Sequence, residues 1–242
     1  MATLNIKVIT TWNNYLYEAY AYRFKKTYNW PFEVIVYNED ESILPDLKEF
    51  VDRNKHRQPI SDFKEKGLDF LTDGVRFSYK VYAYTNEIIT NEDYTGLICI
   101  DADSVFYKMI DEDWIKKHIH NDKAMMTYLG RGNHYSECGF LYFNMKHPEV
   151  INYAIEMQKM YNEDLIYKEK EQHDSYIWDL VRKRFEKNGV VNKDIGDGFF
   201  QQHIPHFEII ELENNFTAQR KGKRKVTEVF IRNFFEKNAL FT

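Results

Sequence analysis

The sequence lacks several features that define whole classes of protein. Its 242 residues include two cysteines, Cys99 and Cys138, and no C-x-x-C spacing, which excludes a disulfide framework and a zinc ribbon. Both cysteines are expected to be small buried hydrophobic residues. No apolar run approaches the ~20 residues of a membrane-spanning helix, and residues 1–7 lack the apolar core of a signal peptide. We therefore expect a soluble, cytoplasmic protein without a transmembrane segment.

A large net charge and flexible linkers are also missing. The net charge of −5 argues against a surface that binds polyanions throughout, although local basic patches stay open. Only 5 prolines and 10 glycines occur, and there is no internal repeat. The chain is long enough to bury the core of one large α/β domain. We expect residues 1–188 to form this domain and residues 189–242 to form a C-terminal flap or extension of it.

Strands and helices are predicted to alternate. A strand at 4–11, a helix capped by Asn13 or Asn14 and a strand at 32–37 begin a parallel sheet with right-handed crossovers. Further helices are expected at 68–88, 148–161 and 174–187, and further strands at 96–100, 124–128, 138–144 and 207–212. Residues 44–66 form a mixed polar stretch with helical fragments and no clear period. The predicted fold class is α/β, with a mixed, mostly parallel sheet flanked by helices.

Two acidic residues that follow a buried strand are the most informative motif. Asp101-Ala102-Asp103 comes directly after the apolar run 96–100, so the carboxylates should lie at the carboxyl end of the sheet, where α/β proteins bind ligands. Asp111-Glu112-Asp113 repeats the spacing but precedes Trp114 and a Lys/His-rich stretch. That second copy is interpreted as a solvated helix start.

Three motifs in order resemble a known family. They are Leu97-Ile98-Cys99-Ile100-Asp101-Ala102-Asp103-Ser104, then residues 136–144 (SECGFLYFN), then residues 171–175 (EQHDS). Over residues 4–187 the chain resembles GT-A fold nucleotide-sugar glycosyltransferases. More closely, it is similar to the lipopolysaccharide galactosyltransferase and glycogenin group and to small glycosyltransferases of phages.

The resemblance implies a donor site with a metal ion. Asp101 and Asp103 would bind Mn²⁺ or Mg²⁺, which neutralises the diphosphate of a nucleoside-diphosphate sugar. Residues of the donor site would be Thr10, Thr11, Trp12 and Asn38 at the nucleobase, Arg76 and Lys80 at the phosphates or ribose, Ala102 beside the metal, and Cys138 and Gly139 at the sugar. Trp12 has the alternative of packing against the first helix. Arg76 and Lys80 have the alternative of a solvated stripe with Asp69 and Asp73.

The resemblance also implies the catalytic groups. Asp174 and Gln172 would face the donor sugar, although Asp174 has the alternative role of a helix N-cap. If the enzyme inverts the anomeric centre, Asp174 or Glu137 is the candidate base. If it retains that centre, the leaving diphosphate can accept the proton. Glu137 otherwise belongs to an ordinary strand entry.

The C-terminal segment departs from the family pattern. Gln219 stands where related enzymes carry a metal-binding His, so the metal's third protein ligand is in doubt, and His203 and His206 are alternatives. Lys221, Lys223 and Arg224 are expected to close over the diphosphate. The same basic run has the alternatives of a nucleic-acid contact and a solvated charge run.

The sequence therefore predicts a metal-dependent glycosyltransferase that moves a hexose or pentose, from UDP-sugar as the favoured donor, to an acceptor hydroxyl. The acceptor is a glycan or, by resemblance to phage enzymes, hydroxymethylcytosine in DNA. A phage protein would work in the host cytoplasm. Two alternatives remain open. One is a haloacid-dehalogenase-like phosphatase with Asp101 as nucleophile and Asp194-Ile195-Gly196-Asp197-Gly198 as its acidic loop, and the other is a non-catalytic nucleotide-sugar binding module.

Overall fold

The computed structural model describes residues 3–41, 44–57, 69–91, 93–106, 109–196 and 210–212. These residues form a six-stranded sheet of order β2-β1-β3-β6-β5-β7. β6 runs antiparallel to both of its neighbours, and the other five strands share one direction. The predicted α/β fold class, with a mixed, mostly parallel sheet flanked by helices, is confirmed. The strands of the sheet are β1 Ile6–Trp12, β2 Glu33–Asn38, β3 Gly96–Ile100, β5 Met126–Arg131, β6 His134–Asn144 and β7 Lys193–Asp194.

A second, two-stranded sheet follows the acidic pair. β4, Ser104–Phe106, pairs antiparallel with β8, Ile210–Leu212. Most of the expected C-terminal flap lies outside the described residues. The predicted strand at 207–212 is present in its described part.

Seven helices lie within the described residues. They are α1 Asn14–Leu16, α2 Tyr22–Thr27, α3 Pro45–Asn54, α4 Gly74–Thr90, α5 Glu112–His118, α6 Val150–Asn162 and α7 Asp174–Lys187. A π-helical turn, Tyr17–Ala21, joins α1 to α2, and 3₁₀ turns span Asp69–Thr72 and Leu165–Lys168. None of these helices is long and apolar enough to cross a membrane.

The central strand β3 is buried along its whole length. Its side chains alternate between the two faces of the sheet, as the pleat of a strand requires. Leu97 and Cys99 belong to the larger core, which includes residues of α4, α6 and α7. Ile98 and Ile100 belong to a second core with Phe24. Both faces of β3 are covered. Asp101, which directly follows the strand, is therefore the first residue after it that can reach solvent at the carboxyl edge of the sheet.

The structure confirms two of the predicted helix starts and corrects a third. The helix at 174–187 has the predicted bounds, and Asp111 caps α5 by accepting a hydrogen bond from the Trp114 N–H at 2.8 Å. The helix predicted at 68–88 is instead a 3₁₀ turn followed by α4, because Asp73 caps a new helix by accepting from the Arg76 N–H at 3.1 Å. α3 lies in the stretch that showed no clear period. Both cysteines are buried, as predicted.

Gly96 allows β3 and β6 to approach each other. A Cβ at Gly96 would lie 2.6 Å from the Tyr142 hydroxyl and 2.8 Å from a ring carbon of Tyr142. That hydroxyl lies 2.7 Å from Nδ1 of His120, so the ring is not free to move aside. We expect Gly96→Ala to lower the free energy of unfolding by about 1–3 kcal/mol, as other overpacked cores do, measured by urea denaturation.

The background variant Tyr142→Leu is the matched control, because it removes the atoms that the new methyl group would meet. In that background Gly96→Ala should cost little. An equal loss in both backgrounds would show that the clash with Tyr142 is not the cause.

Candidate active site

A cleft of about 410 Å³ opens at the carboxyl edge of the sheet. It lies where β1, β2 and β3 end, and α4 forms one wall. This is the edge at which open α/β sheets bind ligands. The residues that line the cleft are Thr11, Asn13, Leu16, Glu39, Asp40, Arg76, Phe77, Tyr79, Lys80, Tyr84, Asp101, Ala102 and Asp103. Six of the predicted donor-site residues therefore share one cleft: Thr11, Arg76, Lys80, Asp101, Ala102 and Asp103.

The ammonium of Lys80 joins the cleft to the start of α7. Its Nζ lies 2.6 Å from Oδ1 of Asp101 and 2.5 Å from Oδ2 of Asp174, and it donates to the carbonyl of Cys138 at 3.2 Å. The side chain of Lys80 is 15% exposed and that of Asp174 is 8% exposed. Two acidic motifs that are far apart in the sequence are thus held by one buried cation. Lys80 therefore pairs with Asp101 and Asp174 rather than with Asp69 and Asp73, the acids of the solvated-stripe alternative.

Burial and proximity shift the protonation of this cluster. Burial raises the pKa of Asp101 to about 6, and Asp174 and Glu137 add to the rise while Lys80 opposes it. The pKa of Asp174 is lowered, because Lys80 outweighs the effect of burial. Burial lowers the pKa of Lys80, but Asp101 and Asp174 more than reverse this and raise it well above its ordinary value. Lys80 therefore stays charged, as an ammonium between two carboxylates must.

The first residue of α7 is Asp174, but the N-cap is the preceding His173. Nδ1 of His173 accepts from the Tyr176 N–H at 3.4 Å, and its Nε2 lies 2.9 Å from Oε2 of the buried Glu171. The alternative that Asp174 is the N-cap is therefore wrong. Because the cap is supplied by His173, the carboxylate of Asp174 is available to meet Lys80. Its other oxygen accepts from the Ser175 N–H at 2.8 Å.

The segment Glu137-Cys138-Gly139 lies on β6, next to the end of β3. The Gly139 carbonyl accepts from the Asp101 N–H at 3.1 Å. Glu137 is held at both oxygens, since Oε1 accepts from the Gly139 N–H at 2.9 Å and Oε2 pairs with Arg131 at 3.0 Å. Cys138 is buried and presents its backbone carbonyl to Lys80. Gln172 is also buried, and its amide donates to the Glu169 carbonyl at 3.0 Å, away from the cleft lining.

One end of the cleft has polar groups that the sequence did not single out. Oε1 of Glu39 accepts from the Thr11 hydroxyl at 2.5 Å, and Oε2 accepts from the Asn13 amide at 2.9 Å. Burial raises the pKa of Glu39, against the effect of these two hydrogen bonds. Asp40 accepts from the Asn14 N–H at 2.8 Å. The sequence did contain a signal for this group, because the acidic residues Glu39 and Asp40 directly follow β2. Parallel pairing of β1 with β2 brings the ends of both strands together.

Five predicted donor-site residues within the described ranges do not line the cleft, namely Thr10, Trp12, Asn38, Cys138 and Gly139. The catalytic candidates Glu137, Gln172 and Asp174 do not line it either. Thr10 is fully buried, on the face of β1 opposite to Thr11. Trp12 packs against Tyr17 and Phe24, with ring centroids 5.9 Å apart in each case, which is the alternative of packing against the first helix. Arg76 is exposed and lies 5.6 Å from the ring centre of Phe77, on the cleft wall.

The carboxylate side chains in the cleft suit a hard divalent cation. Asp101 and Asp103 both line the cleft, and carboxylate oxygens are the ligands that Mg²⁺ and Mn²⁺ prefer. No group of three or more His, Cys, Asp or Glu side chains with metal-site geometry occurs in the part of the chain that the structure describes. The predicted residues Gln219, His203, His206, Lys221, Lys223 and Arg224 all lie outside that part.

The phosphatase alternative requires Asp194 to approach Asp101. Asp194 lies on β7, three strands away from β3, which corresponds to about 14 Å across the sheet. Its Oδ1 accepts from the N–H groups of Gly130 and Gly196, at 2.9 and 2.7 Å. This position counts against the paired acidic loops of a haloacid-dehalogenase-like site.

No protein-family model and no curated protein matches the chain. The solved structures that are similar to it include the glycosyltransferase GlyE of Streptococcus pneumoniae TIGR4, at 11% identity and a TM-score of 0.42, covering 74% of this chain and 43% of GlyE. A glycosyltransferase involved in the glycosylation of the major capsid of PBCV-1 covers 67% and 74%, at 7% identity and a TM-score of 0.33. The bifunctional glycosyltransferase WbbM covers 95% and 52%, at 11% identity and a TM-score of 0.39. The chain spans less than half the length of GlyE, and similarities of this size do not assign an activity.

The Lys80 cluster makes a testable contribution to stability. We expect Lys80→Met to lower the free energy of unfolding by about 3 kcal/mol, because it leaves two buried carboxylates without their cation. Adding Asp101→Asn and Asp174→Asn should recover part of this loss. Urea denaturation at neutral pH measures both effects.

Lys7→Met is the matched control, because Lys7 pairs with Glu33, whose side chain is 69% exposed. Exposed pairs contribute under about 1 kcal/mol. If Lys80→Met cost no more than Lys7→Met, the buried ammonium would not be what holds α4, β3 and α7 together.

Proposed function

We propose that the chain is a metal-dependent glycosyltransferase that moves a sugar from a nucleoside diphosphate, with a UDP-sugar as the favoured donor, to an acceptor hydroxyl. The observation that carries the proposal is that Lys80, which lines the cleft with Asp101, Asp103, Arg76 and Thr11, holds both Asp101 and the adjoining Asp174. This arrangement supports a site in which Asp101 and Asp103 would hold the metal, Arg76 would contact the diphosphate and Asp174 would face the sugar.

The charge of the cleft favours a metal-bound diphosphate. Four carboxylates and two cationic side chains line it, so a free diphosphate would meet net negative charge. A divalent cation on Asp101 and Asp103 would reverse this, with the remaining coordination positions taken by phosphate oxygens and water. Arg76 is placed to contact the diphosphate, whereas Lys80 acts through the two acids that it holds.

The donor's nucleoside fits the opposite end of the cleft. There Thr11, Asn13 and Glu39 form a hydrogen-bonded group at the ends of β1 and β2. Carboxylate and amide oxygens at such a strand edge can accept hydrogen bonds from ribose hydroxyls or a base N–H. This assignment replaces Thr10 and Trp12, which the structure places in the core and against the first helix.

In the reaction, the acceptor oxygen forms a bond to the anomeric carbon as the bond from that carbon to the β-phosphate oxygen breaks. The electron pair leaves with the nucleoside diphosphate, whose charge the metal ion stabilises when bound. The acceptor's proton goes to a carboxylate, Asp174 or Glu137, or to the leaving diphosphate. Both oxygens of Asp174 and both of Glu137 already accept hydrogen bonds or ion pairs. Asp174 therefore serves first to orient Lys80 and to face the donor sugar.

Two acceptor classes remain for this proposal, a glycan and hydroxymethylcytosine in DNA. The basic run 220–225, on which a DNA contact would depend, lies outside the described residues. A non-catalytic nucleotide-sugar module would need the nucleoside end of the cleft but not the metal-binding pair, and the two are distinguished by turnover of the donor.

Thermal unfolding with nucleotide sugars tests the donor and the metal together. At a ligand concentration of about 100 times Kd, binding stabilises the fold by roughly 2.7 kcal/mol, which corresponds to a rise in Tm of about 5–10 °C for a chain of this size. We expect a UDP-sugar with Mn²⁺ to produce this rise, the sugar nucleotide without metal to produce much less, and Asp103→Asn to abolish the metal-dependent part.

Asp113→Asn is the matched control, because Asp113 has the same D-x-D spacing but is exposed on α5. It should respond like the wild type. Equal loss of the metal-dependent shift in both variants, or covalent phosphate on Asp101 after incubation with a phosphate ester, would contradict the proposed function.

A further inference from the structure

Four rings form a cluster beside the candidate active site, which we call the aromatic shelf: Phe77, Tyr135, His173 and Tyr176. The ring centroid of Tyr135 lies 5.3 Å from that of His173 and 5.1 Å from that of Tyr176. The centroid of Phe77 lies 6.3 Å from that of His173. Phe77, Tyr135 and Tyr176 are only half-buried, while His173 is buried. The shelf therefore presents aromatic surface to solvent.

The shelf adjoins the reacting end of the cleft. Phe77 is on the cleft wall, one residue from Arg76, and His173 immediately precedes Asp174. The nucleoside end, at Thr11 and Glu39, belongs to the ends of β1 and β2. A donor that reaches from Glu39 to Asp174 would thus have its sugar next to the shelf.

The rings are held in place by buried polar groups. The Tyr135 hydroxyl donates to Oε1 of Glu171 at 3.1 Å, and burial together with Glu171 raises the pKa of Tyr135 to about 12, so it remains a donor. The carbonyl of Tyr135 accepts from Nε of Arg131 at 2.6 Å. The next N–H, of Ser136, donates to Oδ2 of the buried Asp179 at 3.2 Å. A surface fixed in this way is built to receive a ligand with little loss of entropy.

The charge around the shelf favours a neutral ligand over a polyanion. The nearest carboxylates are those of Glu169, Glu171 and Asp174. Glu169 pairs with Arg184 at 3.5 Å, Glu171 pairs with Lys170 at 3.3 Å, and Glu137 pairs with Arg131 at 3.0 Å, so these three cations are already engaged. Arg76 lies over Phe77 and is exposed, but one exposed cation does not make a positively charged groove. Single-stranded nucleic acid requires a positively charged groove along its backbone as well as rings for its bases. A sugar needs only an apolar ring face and polar groups at its edge.

We propose that the aromatic shelf is the acceptor subsite, and that it binds an uncharged sugar ring whose free hydroxyl points towards Asp174. This inference rests on the proposed transfer reaction and names its acceptor as a neutral glycan. The apolar face of the sugar packs on Tyr135 and Tyr176, and Phe77 separates the acceptor from the diphosphate end of the cleft.

The test uses the full chain and two binding measurements on the same samples. Saturation-transfer NMR with methyl glucoside, methyl galactoside and methyl mannoside reports binding at the shelf, and calorimetry with UDP and Mn²⁺ reports binding of the donor nucleotide. We expect at least one glycoside to bind the wild type, and Tyr176→Ala to weaken that binding about 10-fold or more. UDP affinity should stay within about twofold of the wild type, since Tyr176 does not line the donor cleft.

Tyr22→Ala is the matched control, because Tyr22 is a 38% exposed tyrosine on α2, away from the shelf. Phe77→Leu provides a second shelf variant that keeps an apolar side chain, should Tyr176→Ala unfold. Binding of no glycoside to the wild type, or unchanged binding in both shelf variants, would overturn the inference. Displacement of the glycoside only by an oligodeoxynucleotide with hydroxymethylcytosine would also overturn it, in favour of a stacked base. A wild type that binds glycosides but not UDP would instead contradict the proposed function.

Discussion

One buried ammonium holds together the parts of this molecule from which function is inferred. Lys80 reaches from the middle of α4 to Asp101 at the end of β3 and to Asp174 at the start of α7. Removing Lys80 would leave two carboxylates without their cation in a desolvated place, so the positions of the three elements depend on this ammonium. The same group brings Asp101 and Asp174, which are 73 residues apart in the sequence, to a single cation.

The ends of the strands explain why this cluster lies at the edge of the sheet. β3 is covered on both faces, so its side chains are apolar as far as Ile100, and the first polar residue appears where the strand leaves the sheet. β1 and β2 end at the same edge and supply Thr11 and Glu39. β6 runs in the opposite direction and brings the Gly139 carbonyl to the Asp101 N–H. An acidic cleft with few cations follows from these strand ends, and such a cleft suits a metal ion better than a free anion.

The sequence predicted what depends on local pattern, and it missed what depends on distant partners. The buried run before Asp101 and the helix from Asp174 were predictable from periodicity, and residues 111–113 were correctly interpreted as a helix start. α3 was expected only as helical fragments without bounds, because its turns are mostly polar. Glu39 was missed because its contacts with Thr11 and Asn13 arise only when parallel strands pair. The partners of Lys80 lie 21 and 94 residues further along the chain, so its role could not be distinguished from that of a solvated stripe.

The central claim is that the Lys80 cluster and the D-x-D pair form one metal and diphosphate site. Crystals grown with UDP and Mn²⁺ test it most directly, because anomalous scattering locates the manganese independently of the rest of the density. The account predicts a manganese peak at coordination distance from Asp101 or Asp103 and from the diphosphate, with Lys80 still between Asp101 and Asp174. A nucleotide bound with its manganese away from both carboxylates would contradict it.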